Sequence, residues 1–556
     1  MNRAFKNNIP VIFLFFFGFP LLSHAQQDEI KKEVQVVKPY EPTLSGAFKI
    51  NVLPKMDENI RVNPDYEYSI TPRKMVSDFD VRPISAAKMV SPPLSKYYKT
   101  YLKLGLGNYF TPMAQLSINS LRSKDLTYGV NFNHQSSAGK VTLANDEKVF
   151  AGYGNTQVDM FGKKLYRKAT LSGNLNLNTN TVYNYGYNPE IDTTLEKSDI
   201  KQTFLDLGAG LNLASAKKDS SRFHYALGLD YNYFQDLQSN KENIIAIKAN
   251  MGKGFNERFF GADISTDLYV PSDDIDSSIT TVIGLAPYLT KATSEWRFFI
   301  GANVFLEARA GDIDFALYPN LQFEFNVIPK IMVAYLAADG YWDINNYRKL
   351  AYENHFILPG LTVEKTRHKL ISYAGLKGNF SSDITYNLRG TYSRVNDLFF
   401  FVNDTISEIS NFFHIEQDDV EITEVKAQVS YSHSEKLTFD GHVTYKQYTM
   451  DTEEHPWHYP AFRYGIEGHY NLQDKIIVNA GLLGMGKRYA KVYNQTGYET
   501  KELKGILNIN LGIEYRYSKI LSGFITISNL TANKYQHWNY YPSQKLLLMG
   551  GFTYSL

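Results

Sequence analysis

The chain has 556 residues, with 58 Lys and Arg against 57 Asp and Glu, and no Cys. The balanced charge gives no reason to expect a nucleic-acid partner, and the lack of Cys excludes a disulfide framework and a thiolate metal site. Aromatic residues make up 14% of the chain, while the mean hydropathy is −0.32. Many aromatic residues in a chain that is polar overall are typical of a membrane β-barrel, in which only every second residue of a strand faces lipid.

The first 25 residues have the pattern of a secretory signal peptide. Arg3 and Lys6 precede an apolar run at 11–22, and residues 23–25 form a small-x-small cleavage site. We expect cleavage after Ala25 and export of the mature chain, with an uncleaved signal anchor as the alternative. No stretch of the sequence has the roughly 20 consecutive apolar residues that a spanning helix needs.

Residues 26–95 are rich in charged residues and contain eight Pro. Such a density of Pro excludes a continuous helix or an interior sheet strand, because Pro lacks a backbone N–H. We therefore expect an extended segment that lies in the periplasm or in the lumen of a barrel.

From residue 96 onward, apolar residues alternate with polar ones over many segments, which predicts strands with one apolar face. Clear examples are 102–106, 128–132, 223–233, 315–325 and 507–515. The polar face includes Asn131, Asn133, Asp230, Asn232, Asn320, Glu324, Asn508 and Glu514. So many strands cannot share one dry core, so we expect the apolar face to meet lipid and the polar face to line a lumen.

Ten short polar turns and eleven other connections separate the segments, which predicts 22 strands. The longest predicted loops are 339–365 and 396–421. An even number of strands places both chain ends on the side of the short turns, which is the periplasmic side in such barrels. The predicted fold class is all-β: a transmembrane antiparallel up-and-down β-barrel formed by residues 96–556, preceded by the extended segment at 26–95.

The chain ends in a predicted strand at 544–556. Four residues in it resemble the C-terminal signal by which the barrel-assembly machinery recognises outer-membrane barrels: Gly551, Phe552, Tyr554 and Leu556. Met549 departs from that signal, in which a polar residue is usual at this position. We therefore expect the barrel-assembly machinery as a partner.

The last 35 residues, from Ser522 on, resemble the C-terminal end of a TonB-dependent receptor. The matching features are Asn529-Leu530, Tyr541-Pro542 and Lys545. Receptors of that family carry a large plug domain before the barrel, and residues 26–95 are too short and too rich in Pro to form one. The chain thus resembles a plugless TonB-dependent-receptor-like barrel. The stretches at 36–55, 65–70 and 104–112 also resemble a group of plugless outer-membrane barrels from Gram-negative bacteria. A short box resembling the energy-coupling box of the family is formed by Glu33, Val34, Gln35, Val36 and Val37, although an ordinary edge strand has the same pattern.

The resemblance implies a location in the outer membrane and transport of a small or medium solute, with residues 26–95 occluding the lumen. The alternative is a non-transporting scaffold or accessory barrel of a surface or assembly complex, with the loops at 339–365 and 396–421 as contacts. Expected partners are outer-membrane lipids and, depending on the function, a TonB-like energy-coupling protein or a surface lipoprotein.

Three local patterns resemble catalytic, metal-binding or ligand-binding sites. His134 lies beside two Ser at 136–137, but no acid partner follows from the sequence, so we predict no enzyme and no catalytic residue. The acidic runs at 273–276 and 416–419 are either calcium ligands or solvated loop tips, and we predict no metal and no cofactor. The aromatic loop at 535–541 either stacks on a sugar or another hydrophobic partner or belongs to the outer aromatic girdle.

Overall fold

A computed structural model describes residues 98–556 except 122, 192, 194, 195, 217–222, 274, 277, 406, 408, 435 and 495. The predicted signal peptide, the segment at 26–95 and the box at Glu33–Val37 lie outside the described residues.

Twenty-two antiparallel strands form one closed sheet, which confirms the predicted fold class and strand number. The strands are β1 (Thr100–Gly107), β2 (Thr111–Asn119), β3 (Leu126–Ser137), β6 (Tyr153–Leu165), β7 (Ala169–Tyr183), β8 (Lys201–Ser215), β9 (Phe223–Gln235), β10 (Lys241–Phe255), β11 (Arg258–Pro271), β12 (Thr280–Ala292), β13 (Trp296–Arg309), β14 (Asp312–Ile328), β15 (Met332–Asp343), β16 (Thr366–Asn379), β17 (Ile384–Asn403), β18 (Phe413–His433), β19 (Leu437–Met450), β20 (Phe462–Leu472), β21 (Ile476–Met485), β24 (Ile506–Arg516), β25 (Leu521–Ser528) and β26 (Leu547–Ser555). The ring closes where β1 pairs with β26, from Tyr101↔Ser555 to Gly107↔Met549.

The connections between barrel strands contain the remaining regular elements. These are two hairpins, β4 (Lys140–Thr142) with β5 (Lys148–Phe150) and β22 (Arg488–Asn494) with β23 (Gly497–Leu503), and the helix α1 (Tyr347–Glu353). Among the described residues, no helix has the length and apolar character to cross a membrane.

Each strand presents an apolar face outward. On β8 and β9, for example, Leu211 and Leu229 are register partners that are 58% and 47% exposed. Exposing so many apolar side chains to water is unfavourable by about 25 cal/mol per Å², so this surface is the one that meets lipid. The register places all eight polar-face residues named above on the opposite side, which lines the lumen.

The ten predicted short turns connect consecutive barrel strands at one end of the barrel, where both β1 begins and β26 ends. Two-residue turns such as Asn256-Glu257 have positive φ at both positions, as expected for the turn type whose twist matches a β-hairpin. The longer connections lie at the other end.

The predicted loop at 396–421 is wrong. β17 continues to Asn403 and β18 begins at Phe413, so only 404–412 connects them. A register shift between Val395 and Leu398 precedes an apolar run in which Phe400 and its neighbours are buried. A strand buried on both faces reads as a continuous apolar run, and the alternation that identified the other strands is lost there.

Candidate functional site: the lumen and its loop cap

Amide side chains dominate the lumen wall formed by β3 and β6–β9. They are Asn131, Asn133, Gln135, Asn155, Gln157, Asn174, Asn176, Asn178, Asn180, Asn212 and Asn232. Neighbours hydrogen-bond to each other, as where Asn174 Nδ2 donates to Asn176 Oδ1 at 2.9 Å. A cavity of about 710 Å³ borders this wall and extends over Asp230 and Lys248. The wall therefore offers many donors and acceptors with little charge.

Six connections at the long-loop end pack against one another and against the lumen wall, and we call them together the loop cap. The loop cap comprises the described residues of 184–200, 344–365, 404–412, 451–461, 486–505 and 529–546.

Four aromatic residues of the loop cap pack at its centre with Phe413, the first residue of β18, and we call these five the aromatic junction: Tyr185, Phe356, Phe413, Trp538 and Tyr541. The rings of Phe356 and Tyr541 stack with centroids 3.8 Å apart, and Tyr185 meets Tyr541 at 5.0 Å. The Phe413 and Trp538 rings are 5.6 Å apart. These residues come after β7, after β15, at the start of β18 and after β25, which lie in three separate parts of the ring, so the aromatic junction lies across the mouth of the lumen.

Helix α1 fastens the loop cap to the lumen wall. Its first turn is capped by Asn346, whose side chain accepts the Lys349 N–H. Tyr347 Oη donates to Asp236 at 2.7 Å, and Arg348 pairs with the lumen-facing Asp206 at 2.8 Å. Both carboxylates belong to the region of β8 and β9, so the helix is attached to a wall that is far from its own strands in the ring.

The other end of α1 contacts a different part of the loop cap. Tyr459 Oη, in the β19–β20 connection, donates to Glu353 at 3.1 Å, and burial raises the pKa of that carboxyl. His355 accepts from the lumen-facing Asn180 at Nε2, and burial lowers its pKa. The segment at 344–365 thus joins the amide wall to the β19–β20 connection.

Two buried side chains hold the 529–546 segment in place, and we call them the latch: Arg488 and His458. Arg488 is 0% exposed and donates to the backbone carbonyls of Gln536 and His537, both at 2.6 Å. Burial lowers the pKa of its guanidinium to about 10.

His458 is neutral in this arrangement. Its Nδ1 donates to the Phe401 carbonyl at 2.8 Å, and its Nε2 accepts the Asn539 N–H at 3.2 Å. Burial lowers the pKa of the imidazole to about 3. Sequence patterns did not indicate either latch residue, because a single Arg or His in a loop has no periodic signal.

His134, the residue of the Ser/His pattern, lies on the lipid-facing side of β3. Its Nδ1 is 2.8 Å from Thr156 Oγ1 and its Nε2 is 3.2 Å from Ser136 Oγ. Both ring nitrogens therefore have hydroxyl partners, and the geometry is that of a polar residue near the end of a strand.

The acidic runs have protein partners in the structure. Asp276 pairs with Arg309 at 2.7 Å, and Glu416 pairs with Lys491 at 2.6 Å. Asp418 accepts backbone N–H groups from Thr452 and the residue after it. Among the described residues, no group of three or more His, Cys, Asp and Glu side chains is placed to hold a metal ion.

The aromatic loop at 535–541 was expected either to stack on a sugar or to join the outer girdle. The girdle interpretation is wrong, because Tyr541 is buried and Trp538 packs against it within the loop cap. The reason is that the latch draws this segment towards the centre of the mouth and away from lipid.

The predicted C-terminal signal lies on β26 and on Leu556, the residue that follows it. Phe552, Tyr554 and Leu556 are on the lipid-facing side, while Gly551 faces the lumen next to Gly105 of β1. Its role as an assembly signal stays a prediction.

No family model matches the chain, and no curated protein matches it. Solved structures do resemble it. The ferripyoverdine receptor of the outer membrane of Pseudomonas aeruginosa gives a TM-score of 0.61 at 12% identity, over 83% of this chain and 72% of that one. The ferric-catecholate import receptor Fiu from E. coli K12 gives 0.61 at 8% identity, over 83% and 82%. The copper transporter OprC gives 0.61 at 11% identity, over 83% and 81%. At these identities the likeness concerns the fold, and the chain has the 22-stranded barrel fold of outer-membrane TonB-dependent receptors.

Proposed function

We propose that the protein is an outer-membrane transport barrel that carries a small or medium polar solute through its lumen. In this proposal the loop cap is the gate at the outer mouth, and residues 26–95 occlude the lumen. Energy coupling through Glu33–Val37 is part of the proposal and rests on the sequence pattern alone.

The observation that carries the proposal is the position of the aromatic junction over a polar lumen. A scaffold needs no amide-lined interior, whereas a transport path needs a wet wall that binds a polar solute weakly at several positions. The similar solved structures include a ferric-catecholate import receptor and a copper transporter, which supports a transport role for this fold.

The scaffold alternative expected the segment at 339–365 to be an outward contact for a partner. Much of that segment instead packs inward, with Leu350 and Ile357 buried in the core of the loop cap. This favours a gate over a docking surface.

Conductance in planar lipid bilayers tests the proposal. The mature chain should conduct weakly, and Phe356→Ala with Tyr541→Ala should raise the conductance by weakening the aromatic junction. Deleting residues 26–95 should raise it further. Tyr517→Ala is the matched control, since this aromatic residue is exposed in the short turn between β24 and β25, outside the loop cap, and should leave the conductance unchanged. If all of these proteins fail to conduct, and a partner co-purifies with the mature chain, the scaffold alternative replaces the proposal.

A further inference from the structure

Basic side chains form a row across the lumen wall on β17–β20. Arg389 is the register partner of Lys426, Lys426 of Thr444, and Thr444 of Arg463. Lys446 lies two residues from Thr444 on the same face of β19. We call Arg389, Lys426, Lys446 and Arg463 the basic row.

Few carboxylates compensate the basic row. Glu424 is 3.3 Å from both Arg389 and Lys446, so a single carboxylate serves two cations. Arg389 and Lys426 face each other directly, which is an unfavourable arrangement of like charges in a sheet.

The other nearby carboxylates do not remove the positive excess. Glu353 of the loop cap is close enough to Arg463 for the guanidinium to favour its ionised form. Asp440 and Glu467 are register partners of each other, and Asp440 lies four residues along β19 from Thr444, about 13 Å away. Four cations therefore share two neighbouring carboxylates.

Two buried polar atoms beside the basic row have no hydrogen-bond partner among the described residues. They are Arg389 Nε and Thr391 Oγ1. Thr391 is the register partner of Glu424, so both atoms lie at the same place on the wall. An oxyanion bound at this place would accept a hydrogen bond from Arg389 Nε.

The basic row is also accessible from the lumen, because Arg463 is exposed and Lys426 is half-buried. We propose that the basic row binds a solute that carries phosphate or carboxylate groups, with Arg389 and Arg463 as forked donors to its oxygens and Lys426 and Lys446 as point charges. Guanidinium groups recognise oxyanions through paired N–H donors, and Arg and Lys lining a pore select anions. The inference names the solute class for the proposed transport function and rests on that function for the route.

Isothermal titration of the mature full-length protein with inorganic tripolyphosphate, in a neutral detergent at fixed ionic strength, tests this assignment. The protein should bind the probe saturably, and Lys426→Gln combined with Arg463→Gln should weaken the affinity at least tenfold. Lys248→Gln is the matched control, because Lys248 faces the lumen from β10 beside the amide wall. Its affinity should stay within twofold of the original.

Absence of saturable binding by the original protein overturns the inference, as does an equal loss of affinity in the control and the double variant. Retention of full affinity by the double variant overturns it too. Heat-dependent migration on detergent gels verifies that each variant is folded. Conductance of the same preparations separates the two proposals: a protein that conducts without binding tripolyphosphate contradicts only the solute class, and one that binds without conducting contradicts only transport.

Discussion

At the scale of single residues, Arg488 is the side chain on which the position of the 529–546 segment depends. Its guanidinium is fully buried and donates two hydrogen bonds, to the carbonyls of Gln536 and His537. Hydrogen bonds to a charged group contribute about 1.5–3 kcal/mol, and a shortened side chain leaves two carbonyls unsatisfied. Arg488 therefore stabilises the closed loop cap.

Arg488→Gln should make the loop cap open more often. The chain has no Cys, so a single Cys in place of Ala351, which is 2% exposed in α1, reports opening through its rate of alkylation. We expect that rate to rise at least about tenfold, in line with a loss of about 2 kcal/mol. Lys487→Gln changes the exposed neighbour of Arg488 and should leave the rate unchanged. Equal rates in both variants would show that Arg488 does not hold the loop cap.

His458 makes closure of the loop cap sensitive to acid. Its pKa is about 3 in the closed state, and an exposed imidazole has an ordinary pKa near 6.5. Between these values the open state binds more protons than the closed state, so closure weakens as pH falls, by up to about 1.4 kcal/mol per pH unit. Above about pH 7 this group makes no contribution.

Measuring the conductance between pH 7 and pH 4 checks whether closure weakens on acidification. The conductance should rise as the pH falls, because protonation of Nε2 removes the acceptor for the Asn539 N–H. His458→Gln should show a weaker dependence on pH than the original protein. A conductance that falls on acidification, or an unchanged profile in the variant, contradicts the assignment.

At the scale of elements, the seam between the first and last strands depends on a close approach of backbones. Gly105 of β1 and Gly551 of β26 are register partners, and the Phe524 ring of β25 lies against both. A Cβ at Gly551 would come within 2.0 Å of the Leu104 carbonyl oxygen. This steric requirement explains why position 551 is a Gly, independently of any assembly signal.

Gly551→Ala should therefore impair closure of the barrel. The backbone of β1 has to move, which costs about 1–3 kcal/mol for an overpacked position. The folded fraction, seen by heat-dependent migration on detergent gels, should fall. Gly550→Ala is the control on the adjacent, lipid-facing position, where an added Cβ meets only the Phe524 carbonyl at 3.7 Å. A folded fraction equally high in both variants would contradict the steric account.

At the scale of the whole molecule, one face of the barrel wall contacts lipid and the other contacts the water of the lumen. Leu211 faces lipid and the next residue, Asn212, faces the lumen. Leu211→Lys should reduce membrane assembly, because a Lys in the lipid-facing band costs up to about 2–4 kcal/mol. Asn212→Lys should assemble normally, since its ammonium group is hydrated in the lumen. The yield of folded protein in outer-membrane fractions measures both, and the reverse order would mean that the faces are exchanged.

The sequence alone determined the barrel: its all-β class, its 22 strands, the end at which the short turns lie and the lipid-facing side of the strands that alternate clearly. These properties are local, because the alternation of a strand and the polarity of a turn depend on consecutive residues. The membrane then requires the apolar face to point outward.

Only the tertiary structure decided how the outer mouth is closed. The aromatic junction joins Tyr185, Phe356 and Tyr541, which are separated by up to 356 positions, and no periodicity links them. The extension of β17 escaped prediction because burial on both faces erases the alternation, and that of β18 because its acidic run at 416–419 interrupts the apolar pattern. The basic row exists because strand register brings Arg389, Lys426 and Arg463 side by side. Register depends on how strands pair, so the sequence of a single strand does not determine it.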